Sequence, residues 1–159
     1  MTSNLSKSAR RIQEVITGFG LKLEVVELSD STRTAQEAAD AIGCSVDQIA
    51  KSLVFKGKTS KMPVMVVASG SNRVNEKKFK QHIGEALGKA DAAFVLEHTG
   101  FAIGGVPPIG HTNPVQIFID EDLMQYSEVW AAAGTPNAVF KISPKSLVDI
   151  TRGKTINLK

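Results

Sequence analysis

Long apolar runs, paired cysteines and clustered metal ligands are all missing from this 159-residue chain. Each absence removes a class of function. No apolar run approaches the ~20 residues that a membrane-crossing helix needs. The stretch Met1 to Arg11 is polar and amphipathic with no apolar segment. It does not read as a secretory leader, and cytoplasm is the default compartment. Cys44 is the only cysteine, which excludes an intrachain disulfide and a cysteine-based zinc site. Nothing near it resembles a thiol-activating group, so a structural role is expected. The three histidines, His82, His98 and His111, have no metal-ligand spacing. Nucleophile elbow, Walker loop and dinucleotide fingerprint are absent as well.

What remains is an ordinary globular composition, 42% apolar and 22% charged. The length fits a single domain over residues 1–159, large enough to bury a real core. Net charge is +3 and the pI is near 9.0. That mild basicity is compatible with a polyanionic partner without requiring one. The densest basic run, Lys77-Lys78-Phe79-Lys80-Gln81-His82, is either the wet face of a helix around Phe79 or a track for such a partner.

Leu5, Ala9, Ile12, Ile16 and Phe19 recur at helical spacing, with Gly18 and Gly20 as the stop. Lys22 to Leu28 reads as a strand and Ser29 to Arg33 as a polar turn. Thr34-Ala35-Gln36-Glu37 predicts a capping box opening a helix that Gly43 closes. Ser45 to Gln48 starts a second capped turn. Strands are expected at Lys51–Lys56, Pro63–Ser69, Pro114–Asp120, Glu128–Ala133 and Ala138–Ile142. Asn75 caps a helix carrying Phe79, and Ser143-Pro144 opens one carrying Leu147 and Ile150. Ala90 to Phe101 stays ambiguous between a short strand and a helical turn. About seven strands and four or five helices in irregular order predict a mixed α+β fold.

Two features carry chemistry. Alternation places Lys51 on one face with Leu53 and Phe55, hence inward. A lysine there needs an anionic partner or a ligand. Otherwise Lys51 still belongs to the preceding turn and reaches water. The segment Gly100 to His111 holds four glycines and two prolines among apolar residues. Glycine permits close backbone approach and proline removes a donor and fixes φ. Such a stiff loop either cradles a phosphate or polarised carbonyl, or simply turns between two strands. His111 either lines a pocket or packs on that turn.

Four pieces together resemble the YbaK/prolyl-tRNA synthetase-associated editing family, which includes EbsC. They are Thr34-Ala35-x-x-Ala38-Ala39-x-x-Ile42-Gly43, Gln48-Ile49-x-Lys51-Ser52-Leu53-Val54-Phe55, Gly104-Gly105-Val106-Pro107-Pro108-Ile109-Gly110-His111, and Ala132-Ala133-Gly134-Thr135-Pro136 followed by a strand and Pro144-x-x-Leu147. The likeness spans about residues 20 to 150. It implies a mixed β-sheet partly closed into a barrel with helices around it. It implies hydrolysis of the ester joining a wrong amino acid to the 3′ end of a tRNA, commonly tRNA(Pro), by a free-standing enzyme in trans. No metal or organic cofactor is implied. The partners would be the acceptor end of an aminoacyl-tRNA and prolyl-tRNA synthetase.

The family's lysine falls on Lys51, and its Gly-x-x-x-Pro loop on Gly104 to Pro108. These place Lys51 and the backbone of Gly104, Gly105 and Val106 in the catalytic roles. Pro107, Pro108, His111, Ala133 and Gly134 are the expected substrate-binding residues. The branch that removes cysteine carries Ser-Gly-Gly and a later aspartate, where this chain reads Ala132-Ala133-Gly134 and Val139. A pocket of Val106, Ala132, Ala133 and Val139 suits a small side chain such as alanine. Two other readings stay open: a catalytically silent module that binds a tRNA acceptor end or a synthetase, and a hydrolase of small esters that does not use tRNA.

Overall fold

Ser6 opens the first helix by accepting the Ala9 amide on its hydroxyl, 3.4 Å away. The computed structural model describes residues 5–159; the first four residues of the polar N-terminal stretch lie outside the described residues. Helix α1 (Lys7–Gly18) buries Ala9, Ile12 and Ile16, one stripe at helical spacing. Phe19 departs from the expected stripe: it caps the helix and is 50% exposed. Strand β1 is shorter than its apolar pattern suggests, only Val25–Glu27.

At α2 (Ala35–Ile42) Thr34 accepts the Glu37 amide at 3.1 Å, and Gly43 closes the helix at φ +84°. The reciprocal half of the expected box, from the Glu37 carboxylate, is not formed. The complete capping box lies one turn later, at the short 3₁₀ turn Val46–Gln48, between Ser45 and Gln48. This turn delivers the chain into β2 (Ile49–Gly57), so Lys51 is the third residue of a strand and not part of the turn.

The remaining elements are β3 (Pro63–Ser69), α3 (Glu76–Ile83), β4 (Leu87–Lys89), α4 (Ala92–Thr99), β5 (Gln116–Asp120), a 3₁₀ turn (Glu121–Gln125), β6 (Val129–Ala132), β7 (Ala138–Ile142), α5 (Pro144–Thr151) and β8 (Lys154–Ile156). The ambiguous stretch Ala90 to Phe101 holds helix α4, capped by Asp91, and the short strand β4 lies just before it. The fold is mixed α+β, as expected, with eight strands rather than about seven and five α-helices among the described residues.

The strands form one mixed sheet in the order β1-β7-β6-β2-β3-β5-β8, with β4 also pairing β2. β1–β7, β7–β6 and β2–β3 are antiparallel, whereas β6–β2, β3–β5 and β5–β8 are parallel. Among the described residues the sheet is open: β1 and β8 end the path without pairing each other, so the expected partial barrel closure is corrected to an unclosed sheet. One face packs on α1 through Ala9, Ile12, Ile16 and Phe140, in a cluster that also takes in Leu147 of α5. The other packs on α3, where Phe79 meets Phe118 edge-on at 4.9 Å. A smaller cluster under α2 joins Ala38, Ala39 and Ile49.

Candidate active site

The site begins with an interrupted ladder. Gly57 N–H donates to the Met62 carbonyl at 2.9 Å, one step beyond the Lys56↔Pro63 pair. Alternation therefore turns the backbone groups of Phe55, Leu53 and Lys51 toward β3. Those of Lys56, Val54, Ser52 and Ala50 turn the other way. On that side β6 reaches only Ala50, opposite Ala131, and β4 reaches only Phe55 to Gly57. Between them β2 has no strand neighbour, and a cavity of about 470 Å³ occupies the gap.

Several segments wall this cavity, α2 and α4 among them. β2 contributes Lys51 to Val54, the turn before α2 contributes Thr32 to Thr34, the glycine loop contributes Ile103 to Val106, and Trp130, Ala132 and Val139 come from β6 and β7. Ala132 and Val139 face each other in the β6–β7 register. Its only charged wall residues are cationic, Arg33 and Lys51, which suits an anionic or carbonyl-bearing ligand. Lys51 is half-buried and its Nζ donates to the Gly70 carbonyl at 3.2 Å. Burial first, and then the positive charge of Arg73, push its pKa below the usual lysine range, while Asp120 acts in the opposite sense. Asp120 is itself buried and held by the Ser69 amide at 2.9 Å and the Asn72 side chain at 2.8 Å.

The glycine loop is shaped by two positions that admit no side chain. Gly104 has φ +102°, and a Cβ there would meet the Arg33 side chain at 3.1 Å. A Cβ on Gly105 would lie 2.5 Å from the Thr135 backbone. Gly105 donates to the Ala102 carbonyl at 3.3 Å, a long bond, and its own carbonyl accepts the Gly134 amide at 2.9 Å. Among the described residues no group accepts from the Gly104 or Val106 amide. The loop thus presents bare donors to the cavity wall, with Gly105 partly committed to its own turn.

Of the residues singled out in the sequence, Lys51, Gly104, Gly105 and Val106 come together at this cavity. Pro107 and Pro108 are buried behind the loop. Ala133 is fully buried in the main core, and Gly134 (φ +99°) sits against Phe101 and the Ser8 backbone. His111 lies on a second, shallower cavity with Pro108 and Phe19. Its Nε2 is 2.7 Å from the Pro107 carbonyl oxygen. A carbonyl can only accept, so Nε2 carries the proton. Burial lowers the His111 pKa, favouring the neutral ring. Arg33, Thr32, Thr34 and Trp130 were not singled out; the polar turn and the strand they belong to gave no local signal of a shared wall. Among the described residues no three His, Cys, Asp or Glu side chains converge as metal ligands. No described helix is long and apolar enough to cross a membrane.

Residues 29–150, a span that contains every wall of the cavity, match the sequence profile of the aminoacyl-tRNA editing domain. The chain belongs to that family. Relatives match it over most of its length. The uncharacterized protein YwhH of Bacillus subtilis (strain 168) is 31% identical over 147 residues, 92% of this chain and 93% of its own. EbsC of Enterococcus faecalis (strain ATCC 700802 / V583), named as a candidate Cys-tRNA(Pro)/Cys-tRNA(Cys) deacylase, is 27% identical over 127 residues, 79% of this chain and 77% of its own. A crystal structure described as a candidate trans-editing enzyme for prolyl tRNA synthetase superposes with a TM-score of 0.92 at 49% identity, covering 98% of this chain and 99% of that one. The sheet and its helices are thus the editing-domain fold.

Proposed function

We propose that this editing-domain protein is a trans-acting deacylase that hydrolyses mischarged tRNA, taking tRNA(Pro) esterified with a small amino acid, alanine or cysteine. One observation carries the reading: Lys51 and the unpaired amides of Gly104 and Val106 wall the same cavity. The ester needs both. Lys51, a compact point charge, holds phosphate or sugar oxygens of the terminal adenosine. The Gly104 and Val106 amides accept the negative charge that develops on the carbonyl oxygen as it becomes tetrahedral.

The nucleophile is water or a hydroxyl of the tRNA itself. With water, oxygen adds to the ester carbon, the bond to the ribose oxygen breaks, and a proton passes to that leaving oxygen. The products are the free amino acid and the uncharged tRNA end. Pro107 and Pro108 stiffen the loop, His111 braces the Pro107 carbonyl, and Gly134 ties Gly105 to the turn after β6. Substrate binding at these five positions, Ala133 included, is therefore indirect, through the shape of the loop and of β6. The apolar wall of Val106, Ala132 and Val139 receives the amino-acid side chain. Each methylene too many costs only about 1–3 kcal/mol in such a pocket, so contacts to the tRNA supply part of the selectivity, and prolyl-tRNA synthetase is a partner consistent with the related trans-editing structure.

The test is deacylation of tRNA(Pro) charged separately with alanine, cysteine, serine and proline. Loss of alanyl- or cysteinyl-tRNA(Pro) with prolyl-tRNA(Pro) spared supports the reading. Survival of all four species contradicts it and leaves a binding module.

A further inference from the structure

The gap in β2 leaves main-chain groups whose partners are missing. The Phe55↔Lys89 pair uses the Val54 carbonyl, and the Ala50↔Ala131 pair ends the β6 ladder before Ser52. The Ser52 N–H, the Ser52 C=O and the Val54 N–H therefore face the cavity without a strand neighbour. The Ser52 hydroxyl adds a second, independent sign. It is buried and, among the described residues, has no hydrogen-bond partner. Buried polar groups left unpaired in this way call for a partner from a ligand.

The Ser52 carbonyl and the Val54 amide are spaced as they would be to pair with one residue of a parallel strand. That residue would offer an N–H to the first and a C=O to the second. An α-aminoacyl group has this arrangement, an amine and a carbonyl on either side of one carbon. The cavity wall carries no carboxylate, so an amine there must be received by neutral oxygens.

We propose that the open edge of β2 is the recognition site for the α-amino group: the amine donates to the Ser52 carbonyl while the acyl oxygen accepts from the Val54 amide. The second lone pair of that oxygen stays available to the glycine-loop amides. The substrate class this edge selects is α-aminoacyl, against simple acyl esters of the same size, and it selects through main chain that side-chain substitution does not remove. The inference rests on the reading of the cavity as an aminoacyl-ester site.

The wild-type protein tests it. Trp130 is the only tryptophan of the chain and lies on the cavity wall, so its emission reports occupancy. Two non-hydrolysable probes are titrated, 3′-amino-3′-deoxyadenosine acylated with alanine and the same nucleoside acylated with propionate, which lacks only the amine. The alanyl probe is expected to bind at least about tenfold more tightly, in line with a site built around a hydrogen-bonding group. Equal affinity for both, or no change in emission with either, overturns the proposal. Turnover separates the two claims. Equal hydrolysis of alanyl- and propionyl-tRNA(Pro) keeps the deacylase and overturns the amine site. Selective binding of the alanyl probe by a protein that leaves alanyl-, cysteinyl-, seryl- and prolyl-tRNA(Pro) all intact keeps the amine site and ends the deacylase reading.

Discussion

The Gly134 amide donates to the Gly105 carbonyl at 2.9 Å, tying the turn after β6 to the loop that walls the cavity. The bond explains why two distant glycine-bearing segments belong to one site. Gly105 lies close against Thr135, and its neighbours Gly104 and Val106 line the cavity with it.

Gly105→Ala would place a methyl carbon 2.5 Å from the Thr135 backbone, so the loop must move. Overpacking of this kind costs about 1–3 kcal/mol of stability. Misdirecting one oxyanion donor costs about 10²–10³ in rate. The variant is expected to fold, to melt earlier than wild type, and to lose deacylation far beyond its loss of stability. Thermal unfolding and single-turnover deacylation on the same sample check both.

His111 gives a pH dependence with a definite sign. Its folded pKa lies below the ordinary imidazole value, chiefly because of burial. Between the folded and unfolded values the unfolded chain binds more protons, so stability rises with pH. The contribution is complete above the ordinary histidine range and declines as pH falls through and below it. Wild type is expected to lose melting temperature between about pH 7.5 and about pH 5.5, and His111→Gln to show a flatter profile. Parallel profiles for the two proteins would contradict the assignment.

Much of this site could be read in the chain, and the unread part has a physical cause. Strand alternation offers an inward Lys51 beside a turn position that reaches water, the Gly100 to His111 segment offers a cradle beside a plain turn, and the family resemblance selects Lys51 and Gly104 to Pro108. Alternation and loop composition depend only on local pattern. The gap beside Ser52 and Val54 does not, because β2 reads the same whichever strands flank it, and only the lengths of β4 and β6 leave its edge bare. Ala133 was expected at the pocket, yet the pleat turns it into the core while Ala132 faces the cavity. β8 was missed because three residues, Lys154–Ile156, gain their strand character only by pairing with β5. Arg33 was read as part of a polar turn, and its contact with Gly104 joins segments seventy residues apart in sequence.

Arg33 is exposed, lies across Gly104 and makes no ion pair among the described residues. Its expected work is to hold a phosphate of the single-stranded acceptor end. Arg33→Ala is expected to raise KM for the charged tRNA with kcat near wild type. Loss of one phosphate contact should also lower the slope of log affinity against log salt by about 0.7. An unchanged slope would place Arg33 outside the tRNA contact.

The most direct test is single-turnover deacylation of alanyl-tRNA(Pro) by wild type and Lys51→Ala, with thermal unfolding of both proteins alongside. Lys51 is half-buried, and its one hydrogen bond is to the Gly70 carbonyl, so the variant is expected to stay folded. Its rate is expected to fall by about 100-fold or more, because a terminal adenosine no longer held by Lys51 leaves the ester misplaced against the loop amides. A folded Lys51→Ala protein that cleaves at the wild-type rate would contradict the central role given to this lysine.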